Sequence, residues 1–557
     1  MRLGIIFKFM SDYTPMEMFY SWEISAPERV FLSQPLGGKY YHFTWKKVGE
    51  EVRKVVSYIL SLQLPKESKI GIFGFPTAHW VMSELAILMS EHVAVPIHHN
   101  VTPEDLEHII RDSKMSMIFI GRPDIYIKYK KVIPDSIVKV SLPYSEARDG
   151  LWWEEIQETF DTYNHSPEID NLKPSYIFYT AGTTGLPKGV LHSLDSLSWP
   201  IKNFMDVFRL KQHSRFLAQL SLAHLSSKTF IQMAAIYTGS SIVFIDKGSP
   251  LSEAIAFTKP QVFISVPYQW NMLKGELSGG SAPNGRAPLL ANMPLLSYFY
   301  KRAKRKKAGF HKTRYFISAE EGLSDYLYKW FRTNGINIME MYGQTENAGY
   351  AHINPPHRTR QGTVGTPVRH SKTELGNKGQ ILVCNRALML GYQSNNGASL
   401  NRSSVDMYFN TGDIGEIDKI GHLKIIANSQ DLICTKDGKY LAPAQIEKLL
   451  FNSDLISQAC LIGNGSIAPL GLLGLTEYGK SLPTKELENA LEGLLDYINS
   501  KCRTHQIKSL VIVPEEWTPE NGLLTPSYKP RRHIIEDYYA PLVPLWFNNS
   551  NKIVWSS

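Results

Sequence analysis

Tyr179-Thr180-Ala181-Gly182-Thr183-Thr184-Gly185-Leu186-Pro187-Lys188-Gly189-Val190 packs three glycines, three threonines and one lysine into twelve residues. The run Tyr176-Ile177-Phe178-Tyr179 that leads into it is apolar and aromatic, the composition of a buried strand. Glycines let backbone amides close around an anion, hydroxyls add donors, and Lys188 brings a mobile point charge to the outer phosphates. Pro187 stands directly before the lysine, where a Walker loop has glycine, so this is a phosphate loop of another kind. A bare turn is the competing reading of any glycine-rich loop, and the density of donors here weighs against it. Thr180, Gly182, Thr183, Thr184, Gly185 and Lys188 are the candidate nucleotide contacts.

Outward from this loop, strand and helix patterns alternate. Residues 69–74 read as a buried strand, residues 80–89 carry apolar side chains at helical spacing, and residues 93–95 form another short apolar run. Thr102-Pro103-Glu104-Asp105 opens a helix, with a capping threonine, a proline in the first turn and acids at the positive helix end. The runs at 117–120, 176–179, 262–266 and 314–317 continue the pattern, which predicts an α/β chain of helix-covered parallel sheets. Past Ala427 the strands shorten and an amphipathic helix runs over residues 485–498, followed by the strand 510–513. The expected division is a large unit of residues 1–427 and a smaller α+β unit of residues 428–557.

At 557 residues the chain exceeds one compact core, and its 43% hydrophobic content is that of an ordinary globular protein. Cys384, Cys434, Cys460 and Cys502 are far apart and form no metal-ligand spacing, so neither a disulfide framework nor a zinc site is expected. Residues 3–10 are too short and too interrupted for a signal peptide, and no apolar run reaches membrane-spanning length. A cytoplasmic protein is the expectation. The net charge of +8 suits a nucleotide, CoA or a lipid surface, and no nucleic-acid partner is expected. The basic run Lys301-Arg302-Ala303-Lys304-Arg305-Lys306-Lys307 is a solvated helix face or a peripheral contact for anionic headgroups.

The stretch 179–190 resembles the Tyr-Thr-Ser-Gly-Thr-Thr-Gly-x-Pro-Lys-Gly signature of the adenylate-forming superfamily, with Ala181 in place of serine. That superfamily comprises acyl-CoA synthetases, luciferases and peptide-synthetase adenylation domains. Further motifs follow in the family's order. Met341-Tyr342-Gly343-Gln344-Thr345-Glu346 is similar to the segment whose tyrosine stacks on adenine, whose threonine meets the α-phosphate and whose glutamate holds magnesium. Thr411-Gly412-Asp413 is similar to the ribose-binding motif, and His224 falls where the family carries a histidine between acyl pocket, phosphate and thiol tunnel. Leu524-Thr525-Pro526-Ser527-Tyr528-Lys529 resembles the tail whose lysine bridges carboxylate and α-phosphate. Residues 438–447 resemble a loop of the thioester stage. The phrases at 78–80, 266–270 and 387–392 are most similar to bacterial long-chain fatty-acid ligases, which implies an aliphatic acid.

The resemblance implies a small barrel-like subdomain, a hinge near residues 428–431, and ATP, Mg²⁺ and CoA as cofactor and co-substrates. It implies catalytic roles for Lys529, His224, Thr345 and Glu346, nucleotide contacts at Tyr342, Asp413 and Asn428, and Glu346 with Thr183 at the metal. Besides Ala181, the sequence departs from the pattern in three further segments. Asn428 stands where the family has a ribose-contacting arginine, whose fork a short amide does not replace. Ser221 replaces a proline, and Ser318-Ala319-Glu320-Glu321 puts two acids where the family has small apolar residues. The expected activity is conversion of a fatty acid to acyl-AMP and then acyl-CoA. Loading of an acyl carrier protein, and nucleotide binding without turnover, stand as alternatives; the sequence is silent on oligomeric state.

Overall fold

A computed structural model describes residues 13–121, 126–143, 149–180, 185–278, 294–393, 399–400, 407–502 and 506–556. The central nine-stranded sheet runs, in spatial order, Ser399–Leu400, Gly391–Tyr392, Lys188–Ser193, Pro174–Thr180, Val93–Ile97, Lys69–Phe73, Met117–Ile120, Val138–Ser141 and Leu151–Trp152. The six strands from Pro174–Thr180 to Leu151–Trp152 are parallel to their neighbours, and the remaining three pair antiparallel. Val93–Ile97 and Met117–Ile120 are buried along their whole length, which explains their unbroken apolar sequences. The helix Ala78–Met89 is buried on every face, and the helix Pro103–Ser113 begins where Thr102 Oγ1 accepts the Asp105 N–H at 3.1 Å.

The glycine- and threonine-rich segment falls at the point where the sheet changes direction. Thr180 pairs with Lys188 and Tyr179 with Gly189, so the loop is bracketed by two antiparallel strands. The first helix beyond it, Leu194–Phe208, starts only after the second strand has ended.

A second sheet orders Val262–Ser265, Tyr315–Ser318, Ile338–Tyr342, His352–Ile353 and Thr366–Pro367, the first three parallel. An antiparallel four-stranded sheet, Lys372–Leu375, Gln380–Cys384, Phe409–Ile417 and Leu423–Asn428, lies where the small barrel-like part is expected. The carboxyl ends of parallel strands deliver Glu320 and Tyr342 to one crevice, the usual ligand position in open α/β sheets.

Beyond residue 442 come the helix Pro443–Leu450 and a mixed sheet of Ile456–Ile462, Leu470–Leu475, Leu510–Ile512 and Ile553–Trp555. The helix Thr484–Lys501 covers this sheet with Leu487, Leu491, Leu495 and Ile498, one stripe at helical spacing. Arg531 reaches back to Asp105 at 2.6 Å, Lys274 pairs with Asp454, and Tyr268 stacks on Tyr528 with ring centroids 4.4 Å apart. No described helix is long and apolar enough to cross a membrane.

Lys228 is fully buried on the π-helical turn Lys228–Met233 and pairs with Glu84. Glu84 also accepts from the Tyr176 hydroxyl at 2.7 Å and from Gln232 Nε2 at 2.9 Å. This satisfied polar cluster ties the turn after His224 to the central sheet.

Candidate active site

A cavity of about 1630 Å³ opens between the sheets and the C-terminal residues. Thr180, Gly185, Lys188, His224, Tyr342, Thr345, Glu346, Asp413, Asn428 and Lys529 all line it, although they are scattered over most of the chain. Gly182, Thr183 and Thr184 lie outside the described residues.

At one end of the cavity three donors converge on Asp413. Its Oδ2 accepts from the Tyr342 hydroxyl at 2.6 Å and Gln344 Nε2 at 2.7 Å, and its Oδ1 accepts from Asn428 Nδ2 at 2.9 Å. Burial raises the Asp413 carboxyl above its ordinary pKa, against the opposing pull of these donors and Lys529. Asn428 is paired directly with Asp413 across the antiparallel sheet, so the short amide orients the carboxylate. The Tyr342 turn needs glycine next: a Cβ on Gly343 would lie 2.1 Å from the Gly349 carbonyl carbon.

Thr345–Asn347 forms a single 3₁₀ turn, fixed by His192 Nε2, which lies 2.7 Å from the Thr345 carbonyl oxygen. Glu346 Oε1 accepts from the Tyr392 hydroxyl at 2.9 Å, and burial holds its carboxyl above the usual range despite that bond and the nearby Lys188. The Glu346 carboxylate is an oxygen donor of the kind that fits Mg²⁺, which takes one or two carboxylates with substrate phosphates. No described group of three His, Cys, Asp or Glu forms a denser metal site.

At the other end Lys529 enters from the C-terminal unit. The loop before it is closed by Thr525 N–H donating to Lys529 O at 2.7 Å and Lys529 N–H donating to Thr525 Oγ1 at 3.0 Å. Lys529 Nζ donates to the Glu320 carbonyl oxygen at 3.3 Å and lies 4.0 Å from Glu321 Oε1. Burial would lower its pKa, but Glu321, Glu320, Asp413 and Asp431 outweigh this and hold the ammonium above its ordinary value. His224 Nε2 is 3.0 Å from Glu320 Oε1. Burial would raise the Glu320 carboxyl, yet His224, Lys529 and Ser527 keep it below the usual carboxylate range. Glu320 is therefore partnered, and Glu321 is half exposed beside Lys529, so neither is a buried, unpaired acid.

Gly438, at φ 77°, turns the hairpin of Ile433–Cys434 and Tyr440–Leu441. Gly438, Lys439 and Tyr440 do not line the cavity, whereas Ala444, Gln445, Glu447 and Lys448 do. Sequence reading missed Gln344 and Tyr392 as partners of Asp413 and Glu346; both adjoin motif residues and carry side chains able to donate.

The family described as AMP-binding enzyme matches residues 22–393. Among curated proteins, the long-chain-fatty-acid–CoA ligase FadD15 of Mycobacterium bovis is 24% identical, over 95% of this chain and 96% of the relative. The long-chain-fatty-acid–CoA ligase ACSBG2 of Mus musculus is 22% identical, over 91% of this chain and 89% of the relative. Among solved structures, the anthranilate CoA ligase AuaEII in complex with anthranoyl-AMP superposes with TM-score 0.78 at 18% identity, covering 96% of this chain and 98% of its own. The o-succinylbenzoate CoA synthetase MenE of Bacillus subtilis, in complex with ATP and magnesium, gives TM-score 0.71 at 16% identity over 93% and 99% of the two chains. These two share its fold.

Proposed function

Because the chain belongs to the AMP-binding enzyme family, we propose that it joins a fatty acid to coenzyme A through an acyl-adenylate. The observation that carries this reading is the meeting of Lys188, Asp413 and Lys529, from three distant stretches, inside one cavity. The names of the curated relatives support an aliphatic acid and CoA over an amino acid and a carrier protein.

In the first stage a carboxylate oxygen attacks the α-phosphorus of ATP, the bond to the bridging oxygen breaks, and pyrophosphate leaves. Thr180, Gly182, Thr183, Thr184, Gly185 and Lys188 hold the phosphates, Tyr342 faces adenine, Thr345 meets the α-phosphate and Asp413, oriented by Asn428, accepts the ribose hydroxyls. Lys529 supplies positive charge where two anions approach, and positioning with charge stabilisation makes up most of the catalysis. Bound magnesium would neutralise phosphate charge, with Glu346 and the Thr183 hydroxyl as its protein oxygens. In the second stage the thiol sulfur attacks the acyl carbon beside His224, AMP leaves with the electron pair, and the thiol proton passes to solvent. The unit of residues 428–557 turns about 428–431 relative to residues 1–427, withdrawing Lys529 and bringing in the hairpin at Gly438.

ATP–pyrophosphate exchange across a panel of fatty acids, followed by a CoA-dependent thioester assay, tests the reading. Exchange and thioester together are expected. Exchange without thioester points to a carrier-protein acceptor, and nucleotide binding without exchange sinks the ligase assignment.

For location, a reducing cytoplasm with peripheral contact to anionic membrane is the proposal. Four free cysteines support the first part. The helix Pro294–Lys307 supports the second: Tyr298 and Phe299 are 59% and 58% exposed, and Arg302, Lys306 and Lys307 are exposed with them. Co-sedimentation with anionic but not neutral vesicles, weakening with salt, is expected; equal retention on both rejects it.

A further inference from the structure

We infer that Glu320 is a positioning residue that sets His224 and Lys529 for adenylation. The inference rests on the adenylation reading above and adds to it a residue that the family pattern does not supply. Glu320 has φ 77°, a left-handed conformation that a side chain other than glycine holds only where its surroundings over-determine it. The loop around it is pinned by Ala319 N–H donating to Ser265 O at 3.0 Å and Glu321 N–H donating to Ala319 O at 3.0 Å.

That backbone conformation sends two groups of one residue to two different partners. The carbonyl oxygen accepts from Lys529 Nζ at 3.3 Å, and the carboxylate lies 3.0 Å from His224 Nε2. His224 is held from its other side as well, because the Ser226 N–H donates to its Nδ1 at 3.3 Å. With Nδ1 occupied as an acceptor, the ring hydrogen belongs on Nε2 and points at Glu320. His98 faces the same ring at a centroid separation of 6.2 Å, and Glu321 flanks Lys529. Glu320 is therefore the one link between the imidazole of the large unit and the ammonium of the small one among these groups. Alanine would remove the carboxylate that faces the imidazole. When Lys529 withdraws for the second stage, the His224–Glu320 pair remains with the large unit.

Glu320→Ala and Glu320→Gln separate this role from a structural one. Glutamine keeps an oxygen that accepts from Nε2–H; alanine does not. Glu320→Ala is expected to lower kcat for pyrophosphate exchange roughly 10- to 100-fold with KM for ATP nearly unchanged, a misplacement effect, while Glu320→Gln recovers most of it. In parallel, ¹⁵N spectra of the His224 ring should show hydrogen on Nε2 in wild type and Glu320→Gln, and tautomer averaging in Glu320→Ala. Thermal melts identify any variant that fails to fold, and Glu320→Gly, which relaxes the backbone, repeats the alanine test in that case. Two results overturn the inference: glutamine as poor as alanine with no change in tautomer, or a lower KM for the acid at unchanged kcat in Glu320→Ala. The second would make the carboxylate an obstruction in the substrate's place. If wild type exchanges with no acid, the adenylation reading fails, while the ring spectra still judge the Glu320–His224 link.

Discussion

The Lys529 loop and the Gly438 hairpin belong to the same C-terminal part of the chain but face different surroundings. Lys529 sits inside the crevice with Glu320, Glu321, Asp413 and Asp431 around it, and its neighbours are stapled down by Tyr268 on Tyr528 and Asp105 on Arg531. The hairpin stands outside, with Tyr440 69% exposed and Lys439 paired only locally with Asp437 among the ion pairs of the described residues. On the proposed two-stage reading one body would carry two reactive edges, with electrostatics selecting which one is docked. In this structure the acids around the crevice draw in the lysine. The contrast divides the molecule's chemistry by stage, and that division is open to test.

The sharpest test removes the docked cation. Lys529→Ala is expected to lower pyrophosphate exchange by roughly 10²- to 10³-fold, the scale of losing one preorganised charge contact, while thioester formation from supplied acyl-AMP stays close to wild type. Equal losses in both assays would erase the distinction between the two edges.

Next is the staple. Asp105→Ala leaves Arg531 without its carboxylate in the docked arrangement, at a cost of about 3–5 kcal/mol when such a pair is buried. Exchange should fall on the order of 10²-fold, Arg531→Ala should do the same, and the double variant should be no worse than either, since the two share one interaction. Additive losses would show that the pair does not hold the docked state.

The hairpin supplies the converse. Gly438 has no atom within 4 Å of a would-be Cβ, so Gly438→Val strains only the backbone at φ 77°. A penalty of about 1–2 kcal/mol there should slow CoA-dependent thioester formation roughly tenfold and leave exchange unchanged.

The smallest effect is expected where both stages share a group. Asn428→Ala removes the 2.9 Å bond to Asp413, and should raise KM for ATP several-fold through loss of roughly 1 kcal/mol. Asp413 must be ionised to accept the ribose hydroxyls, and burial already raises its pKa. Loss of a donor raises it further, so the acid limb of kcat/KM for ATP should move to higher pH by less than about one unit. Both half-reactions should respond alike; a change confined to one would place Asn428 at only one edge.

Much of this site could be read from the chain because its parts are local. The threonine-and-glycine loop, the Tyr342 to Glu346 segment and the cap at Thr102 each announce themselves within a few residues, since their chemistry is that of neighbouring side chains and amides. Glu320 could not be read this way. As a sequence feature it is an acid where the family pattern has a small apolar residue, and its meaning comes from His224 and from a lysine 209 residues further on. The buried Lys228–Glu84 pair, 144 residues apart, was equally invisible. The strand Lys188–Ser193 went unread for another reason: its first residues belong to the glycine-rich motif, and only a short run, buried without alternation, follows.

That strand has a consequence for how the triphosphate would be kept. Among the described residues the loop is bracketed by two antiparallel strands, whose dipoles largely cancel. Attraction then falls to discrete charges, of which Lys188 is solvent-exposed and therefore screened by salt, with a Debye length of about 8 Å at physiological ionic strength. Nucleotide capture should consequently weaken as potassium chloride is added, and the cell's salt concentration becomes a physical control on how readily this protein is charged with ATP.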